Sequence, residues 1–145
     1  VTDYVQTVAV DFDGVIHSYS RGWQDGKIYD VPMPGAIDGL HWLMERYAVF
    51  ILTSRDVVQV AQWLMECGFS TFVEVNGDSC DCEDSNGFTC VHEDQCRKLW
   101  NEQGRLLVTK RKLAAIAYID DRGIRFTNWN ALQIEMQARH PAVPR

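Results

Sequence analysis

The chain has 145 residues, 46% of them hydrophobic and 23% charged, enough for one hydrophobic core and too few for two ordinary domains. Its formal net charge of −6 argues against strong binding of a nucleic-acid backbone, which needs a concentrated basic surface. It does not argue against a phosphorylated substrate, because a metal ion and a few basic side chains can make one site locally positive. No apolar stretch approaches the length of a bilayer span, and no basic segment followed by an apolar run marks the N-terminus for secretion. A soluble, cytoplasmic protein with no membrane partner is therefore expected.

Residues 5–10 (VQTVAV) are rich in β-branched side chains and stop at a carboxylate, as a buried strand would. Residues 14–34 carry Gly22, Gly26, Pro32 and Pro34 among aromatic and polar side chains. They read as a long loop or small hairpin, here called the flap, and loops of that length inside a compact domain are usually functional. Pro34 opens a helix, where its missing N–H costs nothing, and Ile37, Leu40, Leu43, Met44 and Tyr47 keep helical spacing. Residues 48–52 (AVFIL) form the continuous apolar run of a strand covered on both faces. A second helix starts near Asp56, carries Val57, Val60, Ala61 and Leu64, and stops at Gly68.

Residues 71–75 read as a third strand. Residues 76–103 break the rhythm with four cysteines, several acids and two glycines, and read as an insertion. Strand character resumes at 106–108, a short helix is expected around 110–115, a last core strand at 117–119, and a C-terminal helix at 129–139 whose apolar face is poorly defined. Strands alternating with helices imply one α/β domain over residues 1–145. Its mostly parallel central sheet would be covered on both faces, as in a Rossmann-like three-layer sandwich.

The polar residues fall at the strand ends. Asp11 and Asp13 follow the first strand, Thr53 and Ser54 the second, and Asp120 and Asp121 the last. Ligands bind outside the carboxyl ends of the strands in such sheets, so four carboxylates and a hydroxyl should converge there. That many like charges need a cation, and oxygen ligands without a His or Cys pattern favour Mg²⁺.

Four segments in order resemble the motifs of the haloacid dehalogenase superfamily. Val10-Asp11-Phe12-Asp13-Gly14 is similar to its first motif, Ile51-Leu52-Thr53-Ser54-Arg55 to its second, and Tyr118-Ile119-Asp120-Asp121-Arg122 to its acidic fourth. Lys112, eight residues before Asp120, resembles the third-motif lysine, with Lys110 its competitor.

The resemblance implies a small, capless, phosphatase-like member of that fold and assigns roles. Asp11 would attack phosphorus and form an aspartyl-phosphate. Asp13 would protonate the leaving oxygen and then activate water. Thr53 would bind a phosphoryl oxygen, and Lys112 would neutralise developing charge. Asp11, the Asp13 carbonyl and Asp121 would hold Mg²⁺, with Asp120 acting through water.

Neither the flap nor the 76–103 segment is large enough for a full cap domain, so a nearly open site is expected. It would suit a small phosphorylated molecule, a nucleotide or a nucleic-acid end. Ser54, Arg55, Arg21, Trp23 and Lys27 are the expected substrate contacts, with His17, Tyr19 and Tyr29 beside them in the flap; the alternative is that the aromatic residues pack the flap onto the core. Cys80, Cys82, Cys90 and Cys96 could hold a structural Zn²⁺, but the C-x-C-x7-C-x5-C spacing also fits free thiols or disulfides. Phosphotransfer to another acceptor, or a binding protein that has lost turnover, are the competing functions.

Overall fold

The computed structural model describes residues 5–74, 89–91 and 102–141. Six strands, β1 (Thr7–Asp11), β2 (Ala48–Leu52), β3 (Thr71–Glu74), β4 (Thr89–Val91), β5 (Leu106–Thr109) and β6 (Ala117–Ile119), form one sheet. They run in the order β4-β3-β5-β2-β1-β6, and every pairing is parallel. With helices α1 (Ala36–Arg46), α2 (Val57–Glu66) and α3 (Trp129–Arg139), this is an α/β fold in a Rossmann-like layout.

The central strands are apolar without alternation because both faces are buried. Val8, Val10, Val49, Ile51, Leu106 and Val108 meet Leu40 of α1 and Val60, Ala61 and Leu64 of α2 on one face. Ala9, Phe50, Phe72 and Leu107 form a second cluster on the other, with Leu113 and Ala115 packed against it. Asp56 caps α2 by accepting from the N–H groups of Val58 and Gln59 at 3.0 and 3.1 Å. Gly68, at φ +100, turns the chain out of the helix. Cys67 packs partly buried against the core, and burial pushes its thiol pKa up.

Several expectations shift. α1 starts after Gly35, which occupies the cap position at φ 80, so Pro34 precedes the helix rather than opening it. Residues 110–115 form no helix. Thr109 Oγ1 accepts from Arg111 N–H at 3.0 Å, and Leu113 and Ala115, two positions apart, both reach the second cluster; a period of two suits an extended segment rather than a helical turn. β4 lies inside the 76–103 segment and pairs with β3. α3 buries none of its side chains, in keeping with its ill-defined apolar face. Cys80, Cys82 and Cys96, and hence the zinc reading, lie outside the described residues, which include only the backbone of Cys90 within β4.

The flap closes on itself as a small hairpin. Ser18 N–H donates to the Val31 carbonyl at 3.1 Å and Met33 N–H to the Ile16 carbonyl at 2.7 Å. A single 3₁₀ turn, Gln24–Gly26, forms its tip. Asp30 ties its two sides together by accepting from the Ser20 hydroxyl and N–H; those bonds, the hydroxyl's first, lower the Asp30 pKa to about 2. Among the described residues no helix is long and apolar enough to cross a membrane.

Candidate active site

Parallel register brings the strand ends together. Val10 pairs with Ile51 on one side and Ile119 on the other, Ile51 pairs with Val108, and Asp11 pairs with Leu52, which pairs with Thr109. One step past these pairs come Thr53, Lys110 and Asp120. The chain moves from β1 to β2 on one side of β1 and returns later as β6 on the other. The crevice between β1 and β6 is therefore the point where the connections change direction, where open parallel sheets bind ligands.

Two cavities flank Asp11 and share Thr53 and Ser54. One, of about 320 Å³, is also lined by Lys110, Tyr118 and Asp120. The other, of about 150 Å³, is also lined by Asp13, Tyr19, Trp23, Asp121 and Arg122.

The four carboxylates divide into three and one. Asp11, Asp120 and Asp121 each offer an oxygen within 4.8 Å of the others, an all-oxygen set that suits a hard divalent cation. Burial, and then the charges of Asp120, Asp121 and Asp13, raise the Asp11 pKa from 3.8 to about 6, against the lowering effect of the Phe12 N–H bond. That bond, 2.8 Å to Oδ1, restrains the Asp11 carboxylate. Asp120 Oδ1 accepts from the N–H groups of Arg122 and Gly123 at 2.5 and 2.9 Å, so part of its role is to shape the turn after β6.

Asp13 stands apart. Its Oδ1 accepts from His17 Nδ1 at 2.8 Å, and its Oδ2 from Arg55 Nε at 2.7 Å. Thr53, almost wholly buried, accepts from Arg55 N–H at 3.1 Å and lines both cavities beside Asp11.

Gly14 joins the first and last motifs. It sits at φ +79, and a Cβ there would overlap the Asp121 carboxylate, so both backbone conformation and close approach require glycine. Gly14→Ala should destabilise the fold by about 1–3 kcal/mol, read by denaturant unfolding, and displace Asp121 from the cluster. Unchanged stability would mean that the loop has an alternative, unstrained course.

Of the expected substrate contacts, Ser54 and Trp23 line the cavities beside Asp11. Arg21 lies over the Tyr29 ring, 4.5 Å from its centroid. Lys27 lines a separate shallow depression with Gln59, Trp63 and Glu66. Arg55 is only 2% exposed and lies beneath the flap. The two candidate lysines also part: Lys110 lines the larger cavity, and Lys112 Nζ rests 4.7 Å over the Tyr118 ring. Arg122 is a cavity residue that the strand-end pattern did not single out, although it directly follows the acidic pair.

Comparison with protein-family models, with curated proteins and with solved structures yields no match to this chain. Its function is read from the residues and their geometry.

Proposed function

We propose that the chain is a Mg²⁺-dependent phosphohydrolase of the haloacid dehalogenase type, without a full cap domain, acting on phosphomonoesters through Asp11. The observation that carries this reading is the division of the four carboxylates. Three gather at the strand ends in a set that could hold a cation, and the fourth, Asp13, is held near them by neutral and cationic donors. A nucleophile and a separate acid–base group are what two successive displacements at phosphorus require. Mg²⁺ bound by Asp11, Asp121 and Asp120 would polarise the phosphoryl group and neutralise the charge gathered there.

In the first displacement an Asp11 oxygen bonds to phosphorus as the ester P–O bond breaks, and the Asp13 proton passes to the leaving oxygen. In the second, water attacks the aspartyl-phosphate, Asp13 takes the proton from that water, and phosphate and Asp11 are released. Thr53 donates to a phosphoryl oxygen. Lys110 lines the adjoining cavity, which shares Asp11, Thr53 and Ser54 with the flap-side one, and from there offsets the charge on Asp11 as it takes the phosphoryl group.

The 150 Å³ of the flap-side cavity is below the roughly 300–1,000 Å³ of pockets that enclose a whole small molecule. It takes the phosphoryl end of a nucleotide, a nucleic-acid terminus or another phosphomonoester and leaves the remainder outside, over Trp23.

A panel of phosphomonoesters assayed with and without Mg²⁺ tests the reading. Hydrolysis of at least one ester, dependent on Mg²⁺ and releasing inorganic phosphate, is expected; no release from any of them would overturn it. Within the panel, Lys110→Ala should lower kcat by about 10²-fold or more and Lys112→Ala by much less. The reverse order would return the role to Lys112.

A further inference from the structure

Among the described residues two basic side chains are buried and have no part in the chemistry proposed above: His17, fully buried, and Arg55, 2% exposed. Both end on Asp13, one at each oxygen.

The proton on His17 can be placed from its neighbours. The Asp30 N–H donates to Nε2 at 3.0 Å, so that nitrogen is an acceptor and the ring proton is on Nδ1, pointing at Asp13. The ring cannot swing, because Phe12 stacks on it at 5.4 Å and Tyr29 meets it edge-on at 5.3 Å.

Arg55 is held equally firmly. Nε donates to Asp13, and Nη1 donates to the Gly26 carbonyl at the flap tip at 2.8 Å. Its Cζ sits over the Trp23 ring, 4.7 Å from the centroid, and over the Tyr19 ring at 5.6 Å. One side chain therefore links the strand end that carries Thr53, the flap, and Asp13.

We propose that His17 and Arg55 are positioning residues that aim the Asp13 carboxyl group at the leaving oxygen, and that Arg55 fastens the flap with the same guanidinium; this rests on the phosphohydrolase reading above. Two donors from different segments, one on each oxygen, fix both torsions of a short side chain. A carboxyl group has about four lone-pair positions, so two remain to carry the proton that is transferred. Arg55 acts on catalysis through Asp13 rather than by gripping the substrate, although its Nη2, buried and without a partner among the described residues, makes direct contact the natural competing role.

The identity of the leaving group separates these roles. Protonation matters greatly for a basic alkoxide and little for an acidic phenolate, whereas lost substrate binding or a damaged fold affects both. Arg55→Lys and His17→Leu should lower kcat on glycerol phosphate by about 10²-fold and on p-nitrophenyl phosphate by less than about 5-fold, with KM little changed. His17→Asn, whose amide N–H can replace the Nδ1–H, should recover most of the loss. In an Asp13→Asn background, Arg55→Lys should add less than about 2-fold.

Equal losses on both esters, a KM raised on both, or full additivity with Asp13→Asn would each overturn the proposal while leaving the phosphohydrolase reading standing. Wild-type protein that hydrolyses neither ester with Mg²⁺, nor any other in the panel, would overturn that reading and this proposal with it. Thermal melts of each variant identify losses due to unfolding, and the Asn variant at position 17 keeps the positioning claim testable if the Leu variant does not fold.

Discussion

Asp11→Asn should lower turnover by at least about 10³-fold, because the amide keeps the shape of the side chain and loses the nucleophile. The substitution is mild for the fold: an Asn Oδ1 can still accept the Phe12 N–H bond that holds this side chain at 2.8 Å. Two measurements check it. Phosphate release in Mg²⁺ should fall to background, and rapid acid quenching during turnover should trap a phosphorylated aspartate in the wild type and none in the variant. Activity above a few per cent of wild type, with contaminating phosphatase excluded, would assign the attack to another group.

The same substitution should stabilise the metal-free protein at neutral pH. Burial and three neighbouring carboxylates raise Asp11 to about 6 from 3.8, so the folded state holds this proton more tightly than the unfolded state does. The sign follows from linkage. Below about pH 4 Asp11 is protonated in both states and costs nothing. As pH rises from about 4 to about 6 Asp11 ionises in the unfolded state while the folded state keeps its proton, so the folded state loses stability, and above that range the loss is complete. Allowing for screening at a half-exposed group, the penalty is about 1–2 kcal/mol.

In chelator, Asp11→Asn should therefore melt above wild type at pH 7, with the gap closing toward pH 4. Mg²⁺ held by the folded cluster, as proposed, should raise the wild-type melting temperature by mass action, while raising that of the variant much less. Removing the metal should also abolish turnover. A gap that does not change with pH, or no response of the wild type to Mg²⁺ at pH 7, would mean that Asp11, Asp120 and Asp121 do not act together as a cation site.

Much of this site was legible along the chain because a buried parallel strand needs an unbroken apolar run, and such runs end abruptly. Those before Asp11, Thr53 and Asp120 each stop at an oxygen-bearing side chain. Local pattern was a weaker guide where two signals compete. Residues 110–115 contain good helix formers, yet docking of Leu113 and Ala115 on the sheet keeps them extended. β4 could not be read inside an acidic, cysteine-rich segment, since three residues at a sheet edge carry almost no periodic signal.

The sequence by itself determined where β1, β2, β3, β5, β6 and the three helices lie, and the stops at Asp11, Thr53 and Asp120. These depend on burial and backbone sterics, which each segment expresses locally. Only the tertiary structure decided that β5 enters between β2 and β3, that Lys110 rather than Lys112 lines the Asp11 cavity, and that Arg55 is buried under the flap instead of facing outward. The bond between Arg55 and Asp13 spans 42 residues. A pairing of that range is set by how the sheet aligns its strand ends and how the flap folds over them, and nothing in the spacing of either residue announces it.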